Sequence, residues 1–173
     1  MVGVLQTLWG QTSPSPEAAP DAFIFEAQGG YYDRHRVQIP PKATGVRVKI
    51  IVLESYEDAH WSAATGLGIG LKKVENPNDM EMFARLSFDE KTGVHYIRLK
   101  TSTQKKDIVA KSKITPGTTL IWEADWSANR LVLRLNGQLF SNDVRSFPPE
   151  VLQLSVSGMK LSVDDITFTT PSP

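Results

Sequence analysis

Alternating runs of residues within Thr119–Phe140 (TLIWEADWSANRLVLRLNGQLF) are the feature that most constrains the fold. Such a period of two is typical of half-buried β-strands, because successive side chains point to opposite faces of a sheet. Ser127-Ala128-Asn129 interrupts the alternation. Asn136-Gly137, where both residues accept positive φ, predicts a two-residue hairpin turn. The stretch therefore predicts a three-stranded antiparallel meander.

Similar short alternating runs recur between turn signals along the rest of the chain, and no run has the period of an amphipathic helix. Many evenly spaced strands are typical of two-layer β folds. We therefore predict an all-β fold, a two-sheet antiparallel β-sandwich (jelly roll). Its predicted core contains residues that share strand parity: Val48, Ile50, Trp122, Leu133, Leu135, Leu154 and Phe168.

Composition limits the classes of function. Lys plus Arg and Asp plus Glu both number 19, so the net charge is zero, which argues against a nucleic-acid partner. The absence of cysteine excludes disulfides, thiolate metal sites and a cysteine nucleophile. No apolar run approaches the roughly 20 residues that span a bilayer, so no membrane span is expected.

The ends of the chain differ in composition from its middle. Met1–Gly10 is apolar and Gln11–Pro20 is rich in Pro and Ser, so residues 1–20 are predicted to be an arm and linker. Residues 21–170 form the predicted sandwich domain, and residues 171–173 a linker stub. An apolar arm lowers solubility unless it is covered, so residues 1–10 are predicted to contact another subunit in a homo-oligomer or assembly.

Two stretches carry a resemblance to a known family. Asp125–Gly137 (DWSANRLVLRLNG) and the closing Ser162–Phe168 (SVDDITF) resemble the concanavalin A-like lectin/glucanase superfamily, which includes laminin-G-like domains and carbohydrate-binding modules. The resemblance covers roughly residues 21–170. It implies two packed antiparallel sheets, one of them curved, with ligands on the concave face or the loop rim.

The resemblance also allows a test for catalysis. Glucanases of the superfamily carry E-x-D-x-x-E on one strand, which supplies the two carboxyl groups that retaining hydrolysis needs. Here Glu123 and Asp125 are present, but Ala128 occupies the third position. We therefore predict a non-catalytic protein, while a hydrolase or lyase with a second acid from Glu54 or Glu81 stays open.

Two aromatic and polar stretches are predicted to bind a ligand. Sugars offer an apolar face for aromatic stacking and hydroxyls for polar side chains. The candidate residues lie in Gly29–Arg36 and Glu54–Ser62, both expected to be loops: Tyr31, Tyr32, Asp33, Tyr56, Asp58, His60 and Trp61. A neutral or weakly acidic polysaccharide is the expected ligand. The alternative is that these aromatics only plug the ends of the sandwich.

Asp164 and Asp165 form a carboxylate pair on the last predicted strand. Asp164 shares the parity of Ile166 and Phe168, so it would be poorly solvated and would need a cation. A structural calcium ion is one hypothesis, since superfamily members often hold one near this edge. The alternatives are a β-bulge that turns Asp164 outward, or an arginine partner.

Lys100–Lys113 (KTSTQKKDIVAKSK) contains five lysines. They could bind an acidic polymer such as a sulfated or uronic glycan. We favour the interpretation that they protect an edge strand from pairing with other chains.

Two further patterns are assigned structural roles. The glycines of Gly66–Gly70 are predicted to allow curvature or close contact in a strand, because no helix follows them to form a phosphate-binding loop. His95 shares a face with Ile97 and Leu99 and is predicted to be a core histidine whose hydrogen bonds are satisfied.

The leading functional prediction is a non-catalytic, lectin-like carbohydrate-binding module that is extracellular or on a virion or cell surface. The alternative is a structural or assembly subunit, such as a virion decoration or fibre protein or an extracellular filament subunit, that uses residues 1–10 for subunit contacts.

Overall fold

The computed structural model describes residues 22–56, 62–70, 82–101, 105–127, 130–144 and 148–171. These residues form ten strands: β1 (Phe23–Gln38), β2 (Gly45–Ser55), β3 (Ala64–Gly70), β4 (Met82–Asp89), β5 (Val94–Thr101), β6 (Lys105–Val109), β7 (Thr119–Asp125), β8 (Arg130–Leu135), β9 (Gln138–Val144) and β10 (Val151–Thr169). Within these ranges, no helix is long and apolar enough to cross a membrane.

Strands β1 and β10 run through two sheets. The first part of β10 pairs with β3 as far as Ser157, and the second part pairs with β2 from Met159 onward. Strand β1 follows β10 antiparallel along both parts, with a register shift between Ala27 and Tyr32. The front sheet therefore has the order β1-β10-β3-β4-β5-β6, and the back sheet has the order β1-β10-β2-β7-β8-β9.

A single hydrophobic core lies between the two sheets. The inward residues of both sheets belong to one cluster of buried side chains, which confirms the predicted antiparallel sandwich. Trp122, one of the largest, packs edge-on against Phe140 with 5.9 Å between ring centroids. Six of the seven predicted core residues are buried, and Phe168 is partly buried against the same cluster.

The central meander forms as the alternation predicts. Strands β7, β8 and β9 pair in sequence order. Asn136 and Gly137 both have positive φ, 47° and 75°, as a type I′ hairpin requires. The Asn136 side chain also accepts a hydrogen bond from the Ile121 amide at 2.7 Å and donates to the Thr119 carbonyl at 3.1 Å. These bonds fix the turn against β7.

Strand lengths differ from the sequence-based expectation. Gly29–Arg36 was expected to be a loop, but it lies within the 16-residue strand β1. The physical reason is that β10, with 19 residues, offers β1 a continuous pairing edge. Polar residues are tolerated there because, among the described residues, β1 pairs with β10 alone and lies at the edge of the paired strands.

Glycine allows close backbone contact in β3, as predicted. A Cβ added to Gly66 would lie 2.6 Å from the carbonyl oxygen of Ala84 and 2.9 Å from both the Phe83 ring and the Ser155 hydroxyl. Gly66 therefore lets the neighbouring strands β4 and β10 approach, and no phosphate-binding geometry is involved.

Candidate functional site

The outward face of the front sheet carries a row of polar side chains in register across neighbouring strands. Pairing places Arg85 of β4 beside Arg98 of β5, and Arg98 beside Asp107 of β6. A second row places Ser87 of β4 beside Tyr96 of β5. Because the side-chain period of a strand is two, all of these residues face away from the core.

These side chains line an open groove of about 580 Å³. Its lining contains two cations, two carboxylates, two aromatic residues and two serines: Ser62, Arg85, Ser87, Phe88, Asp89, Tyr96, Arg98 and Asp107. Most of them project from strands, so the paired backbone holds them in fixed positions. We refer to this set as the groove.

Arg98 and Asp107 form a bidentate ion pair on the wall of the groove. The Arg98 Nε and one terminal nitrogen donate to the two Asp107 oxygens, each at 2.8 Å. The hydrogen bond from Arg98 lowers the pKa of Asp107, and the same bond raises the pKa of Arg98. Asp107 therefore stays ionised and is unsuited to donating a proton as a general acid.

Arg85 is a half-buried cation on the groove floor. Burial lowers its pKa, nearby Arg98 lowers it further, and the neighbouring Tyr32 hydroxyl acts in the opposite direction. Its Nε has no hydrogen-bond partner among the described residues. A guanidinium remains protonated in proteins, so Arg85 places a poorly compensated positive charge beside the groove.

The predicted ligand residues of Gly29–Arg36 are only partly brought to this groove. Tyr32 is 38% exposed, its ring contacts the Arg34 guanidinium at 4.5 Å, and it influences Arg85 electrostatically. Asp33 accepts a hydrogen bond from the Arg34 backbone amide at 2.7 Å. Tyr31 is 72% exposed on β1. Tyr32 is therefore the member of this set that the structure connects to Arg85.

Tyr56 has a different environment. Its hydroxyl donates to Glu26 at 2.7 Å and lies 3.3 Å from Glu54, both on back-sheet parts of their strands. The Glu26 hydrogen bond raises the pKa of Tyr56 well above its ordinary value. Asp58, His60 and Trp61 lie outside the described residues. The loop-rim site that these residues would form with Tyr31 and Tyr32 stays a prediction.

The carboxylates of the last strand have cationic neighbours. A register irregularity occurs between Val163 and Asp165, and Asp164 does not share the buried face of Ile166 as parity predicted. Asp164 accepts hydrogen bonds from Ser162 at 2.7 Å and from Lys49 at 3.1 Å, and these bonds lower its pKa.

Asp165 is exposed and lies 3.9 Å from Arg47. The bulge turns Asp164 away from the buried face, and the cationic partners Lys49 and Arg47 balance the charges of Asp164 and Asp165. No group of three or more potential metal ligands occurs among the described residues. Calcium binding at Asp164 and Asp165 stays a prediction.

The incomplete glucanase motif lies away from the groove. Glu123 and Asp125 are on β7 of the back sheet, on the face opposite buried Trp122. Asp125 accepts hydrogen bonds from the amide and the hydroxyl of Ser127 at 2.8 and 2.6 Å. Glu123 pairs in register with Arg47 and Arg134. These carboxylates therefore occupy a polar strand face on the other sheet.

A smaller cavity of about 210 Å³ adjoins the groove, and Ser62 and Phe88 line both. Its lining includes His95, whose ring lies 4.8 Å from the Phe88 ring and whose Nε2 accepts the Ile114 amide hydrogen at 2.9 Å. His95 is satisfied as predicted, although it is half-buried at the strand start instead of lying in the core.

Burial lowers the pKa of His95, and nearby Lys113 adds to the effect. The neutral ring is therefore the form that suits this site, since only an unprotonated Nε2 can accept the Ile114 hydrogen bond.

Sequence reasoning missed the groove as a site. The alternation of β4 and β5 placed Arg85, Ser87 and Arg98 on polar faces, which is correct. Nothing in the sequence indicated that these faces lie side by side and meet Asp107 of β6. The available signal was an arginine on each of two consecutive alternating runs.

Comparison with known proteins gives information on the fold. No family model and no curated protein matches the chain. A polysaccharide lyase family 18 structure, aly-SJ02 r-CATD, aligns over 92% of both chains with 10% identity and a TM-score of 0.58. A tetrameric galectin from the ball sponge Cinachyrella sp. aligns over 79% of this chain and 99% of its own, with 14% identity and a TM-score of 0.51.

The carbohydrate binding module CBM66 from Bacillus subtilis aligns over 85% of this chain and 86% of its own, with 11% identity and a TM-score of 0.51. Galectins, carbohydrate-binding modules and such lyases share one jelly-roll architecture. The chain has the concanavalin A-like lectin/glucanase fold, as the resemblance of its two motifs implies.

Proposed function

We propose that the protein is a non-catalytic, lectin-like carbohydrate-binding module and that the groove on the front sheet is its binding site. The observation that carries the proposal is the lining of the groove. Aromatic rings at Tyr96 and Phe88 lie beside fixed donors and acceptors at Arg98, Asp107 and Ser87. A sugar needs this combination, because its rings stack on aromatics while its hydroxyls form hydrogen bonds.

The fold supports the proposal without deciding it. A galectin and a carbohydrate binding module share this architecture with the chain. Fold alone does not determine function, and a lyase shares it too. The groove chemistry therefore carries the argument.

The carboxylates of the groove favour binding over hydrolysis. Retaining hydrolysis needs one carboxyl group that donates a proton and a second that attacks or stabilises the sugar. Asp107 is held ionised by Arg98, and Asp89 accepts a hydrogen bond from the Lys91 amide at 2.9 Å. The bidentate bond makes Asp107 a rigid acceptor for sugar hydroxyls instead.

A glycan array followed by calorimetry tests the proposal. We expect wild type to bind at least one polysaccharide, and Tyr96→Ala to weaken binding by about 1–3 kcal/mol, the loss expected for a stacking ring. Tyr31→Ala is the matched control, since Tyr31 is exposed on β1 and does not line the groove. Absence of binding to any glycan at millimolar concentration, or equal losses in the two variants, would contradict the proposal.

The assembly function is the alternative. It depends on residues 1–10, which lie outside the described residues, so it stays a prediction. An extracellular, virion-surface or cell-surface location is part of our proposal, because polysaccharides are displayed there.

A further inference from the structure

The charge around Arg85 is unbalanced. Arg98 has Asp107 as its partner, whereas Arg85 has neither an ion pair nor a bond to Nε among the described residues. Of its two electrostatic neighbours, Tyr32 has the larger effect and raises the pKa of Arg85, and a second cation, Arg98, lowers it. Taking a guanidinium out of water without an anion is unfavourable, and the group cannot lose its proton instead.

Further basic side chains lie on the same outward face as Arg85. Arg34 and Arg36 of β1 pair in register with Ser155 and Gln153 of β10, which alternate with the core residues Leu152 and Leu154 and are themselves buried. Lys100 of β5 and Lys105 of β6 lie opposite each other in register at the far edge of the sheet, next to the Arg98–Asp107 ion pair. Among the described residues of this face, basic side chains outnumber acidic ones, although the net charge of the whole chain is zero.

Strand β6 lies at the edge of the sheet among the described residues, and two of the five lysines, Lys105 and Lys106, are on it. Lys105 nevertheless lies on the outward face of the groove sheet, in line with Lys100 and beside Asp107. Lys105 can therefore both protect the strand edge from pairing with other chains and attract an acidic polymer.

We propose that the groove is selective for anionic saccharides and that a carboxylate or sulfate of the ligand pairs with Arg85. This inference rests on the proposed carbohydrate-binding function. A planar guanidinium matches the two oxygens of such a group, and an anion supplies the partner that none of the described residues provides. Tyr96 and the Arg98–Asp107 pair then contact the neutral part of the sugar.

The test uses two pairs of polymers that differ only in charge. Polygalacturonate is compared with fully methyl-esterified galacturonan, and dextran sulfate is compared with dextran. We expect the charged member of at least one pair to bind about tenfold tighter or more, the value of one charge-assisted bidentate contact. The pair that shows the preference identifies carboxylate or sulfate as the recognised group.

Arg85→Gln is expected to remove the preference, while any binding of the neutral polymer remains. Arg130→Gln is the matched control, because it removes the same charge from an exposed site on β8 of the back sheet. A preference that survives Arg85→Gln, or that falls equally in Arg130→Gln, would overturn the inference.

Other results separate this inference from the proposed function. Equal binding of charged and neutral polymers, lost in Tyr96→Ala, would refute the anion selectivity and leave the carbohydrate function standing. Absence of binding to both pairs and to the glycan array would refute both.

Thermal melting without polymer distinguishes a binding role from a structural one. Because no described residue supplies Arg85 with an anionic partner, we expect Arg85→Gln to melt at the same temperature as wild type or higher. A clear decrease in melting temperature would show that Arg85 stabilises the fold, and would count against the inference.

Discussion

His95 links a single hydrogen bond to the pH dependence of stability. Its pKa in the folded protein lies below the ordinary 6.5, because the ring is partly buried and near Lys113. Between the folded and ordinary values the unfolded chain binds more protons, so stability falls as pH falls from about 7 towards the folded pKa. Below the folded pKa this loss is complete. Protonation also removes the acceptor of the Ile114 amide.

Urea denaturation at pH 7.5 and at pH 5 measures this effect. We expect wild type to lose stability over that interval, and His95→Gln to lose less, since an amide oxygen can accept the same hydrogen bond at both values. Asp107, whose pKa is lowered below 3.8, titrates outside this window. Glu90 shares the cavity of His95, so Glu90→Gln serves as a control. Equal losses in wild type and His95→Gln would refute the assignment.

For single residues, the sequence predicts which face of a sheet a side chain lies on, but not which side chains it contacts. Alternation placed Leu133 in the core and Arg85 on a polar face, and both are correct. It could not show that Arg98 meets Asp107 while Arg85 meets none of the described carboxylates, because those relations depend on the register between strands. The bulge near Asp164 likewise has no signal in the residue pattern.

Among the strands, β10 passes from the front sheet to the back sheet at Gly158. This residue has a φ of 59° and lies between the part that pairs with β3 and the part that pairs with β2. A Cβ there would lie 3.3 Å from the Tyr56 carbonyl oxygen and 3.5 Å from the Ala63 Cα. Gly158 therefore has a left-handed backbone conformation, and a side chain there would be crowded by neighbouring backbone atoms.

Gly158→Ala is expected to destabilise the protein more than Gly93→Ala. Gly93 has a similar φ of 67°, but nothing lies within 4 Å of its added Cβ. The control should cost about 1 kcal/mol from backbone strain alone, whereas Gly158→Ala should cost roughly 1 kcal/mol more from overpacking. Chemical denaturation of both variants measures the difference. Equal effects would mean that the crossing has room to adjust.

Strand existence was predictable, and strand extent was not. The hairpin of β8 and β9 followed from Asn136-Gly137, a local signal. The length of β1 depends on its pairing with β10, more than a hundred positions away in the chain. Gly29-Gly30 resembles a turn in isolation, and pairing with β10 turns the neighbourhood into an irregular strand.

For the whole molecule, the fold was predictable because alternation, turn residues and two family-like motifs agreed. The proposed groove site was not predicted, because the sequence-based search favoured loops rich in aromatic residues. The groove instead combines Arg85, Tyr96 and Asp107 from three neighbouring strands. The proposed binding surface is therefore a property of the sheet order β4-β5-β6.

Amide chemical-shift mapping during a glycan titration tests the central claim most directly, namely that the groove is the carbohydrate site. The titrant is the best ligand from the array, and backbone resonances are assigned beforehand. The account predicts that the largest shifts occur in β4, β5 and β6 and are centred on Tyr96 and Arg98. Shifts confined to the β2–β3 connection around Trp61, or spread over the back sheet, would contradict it.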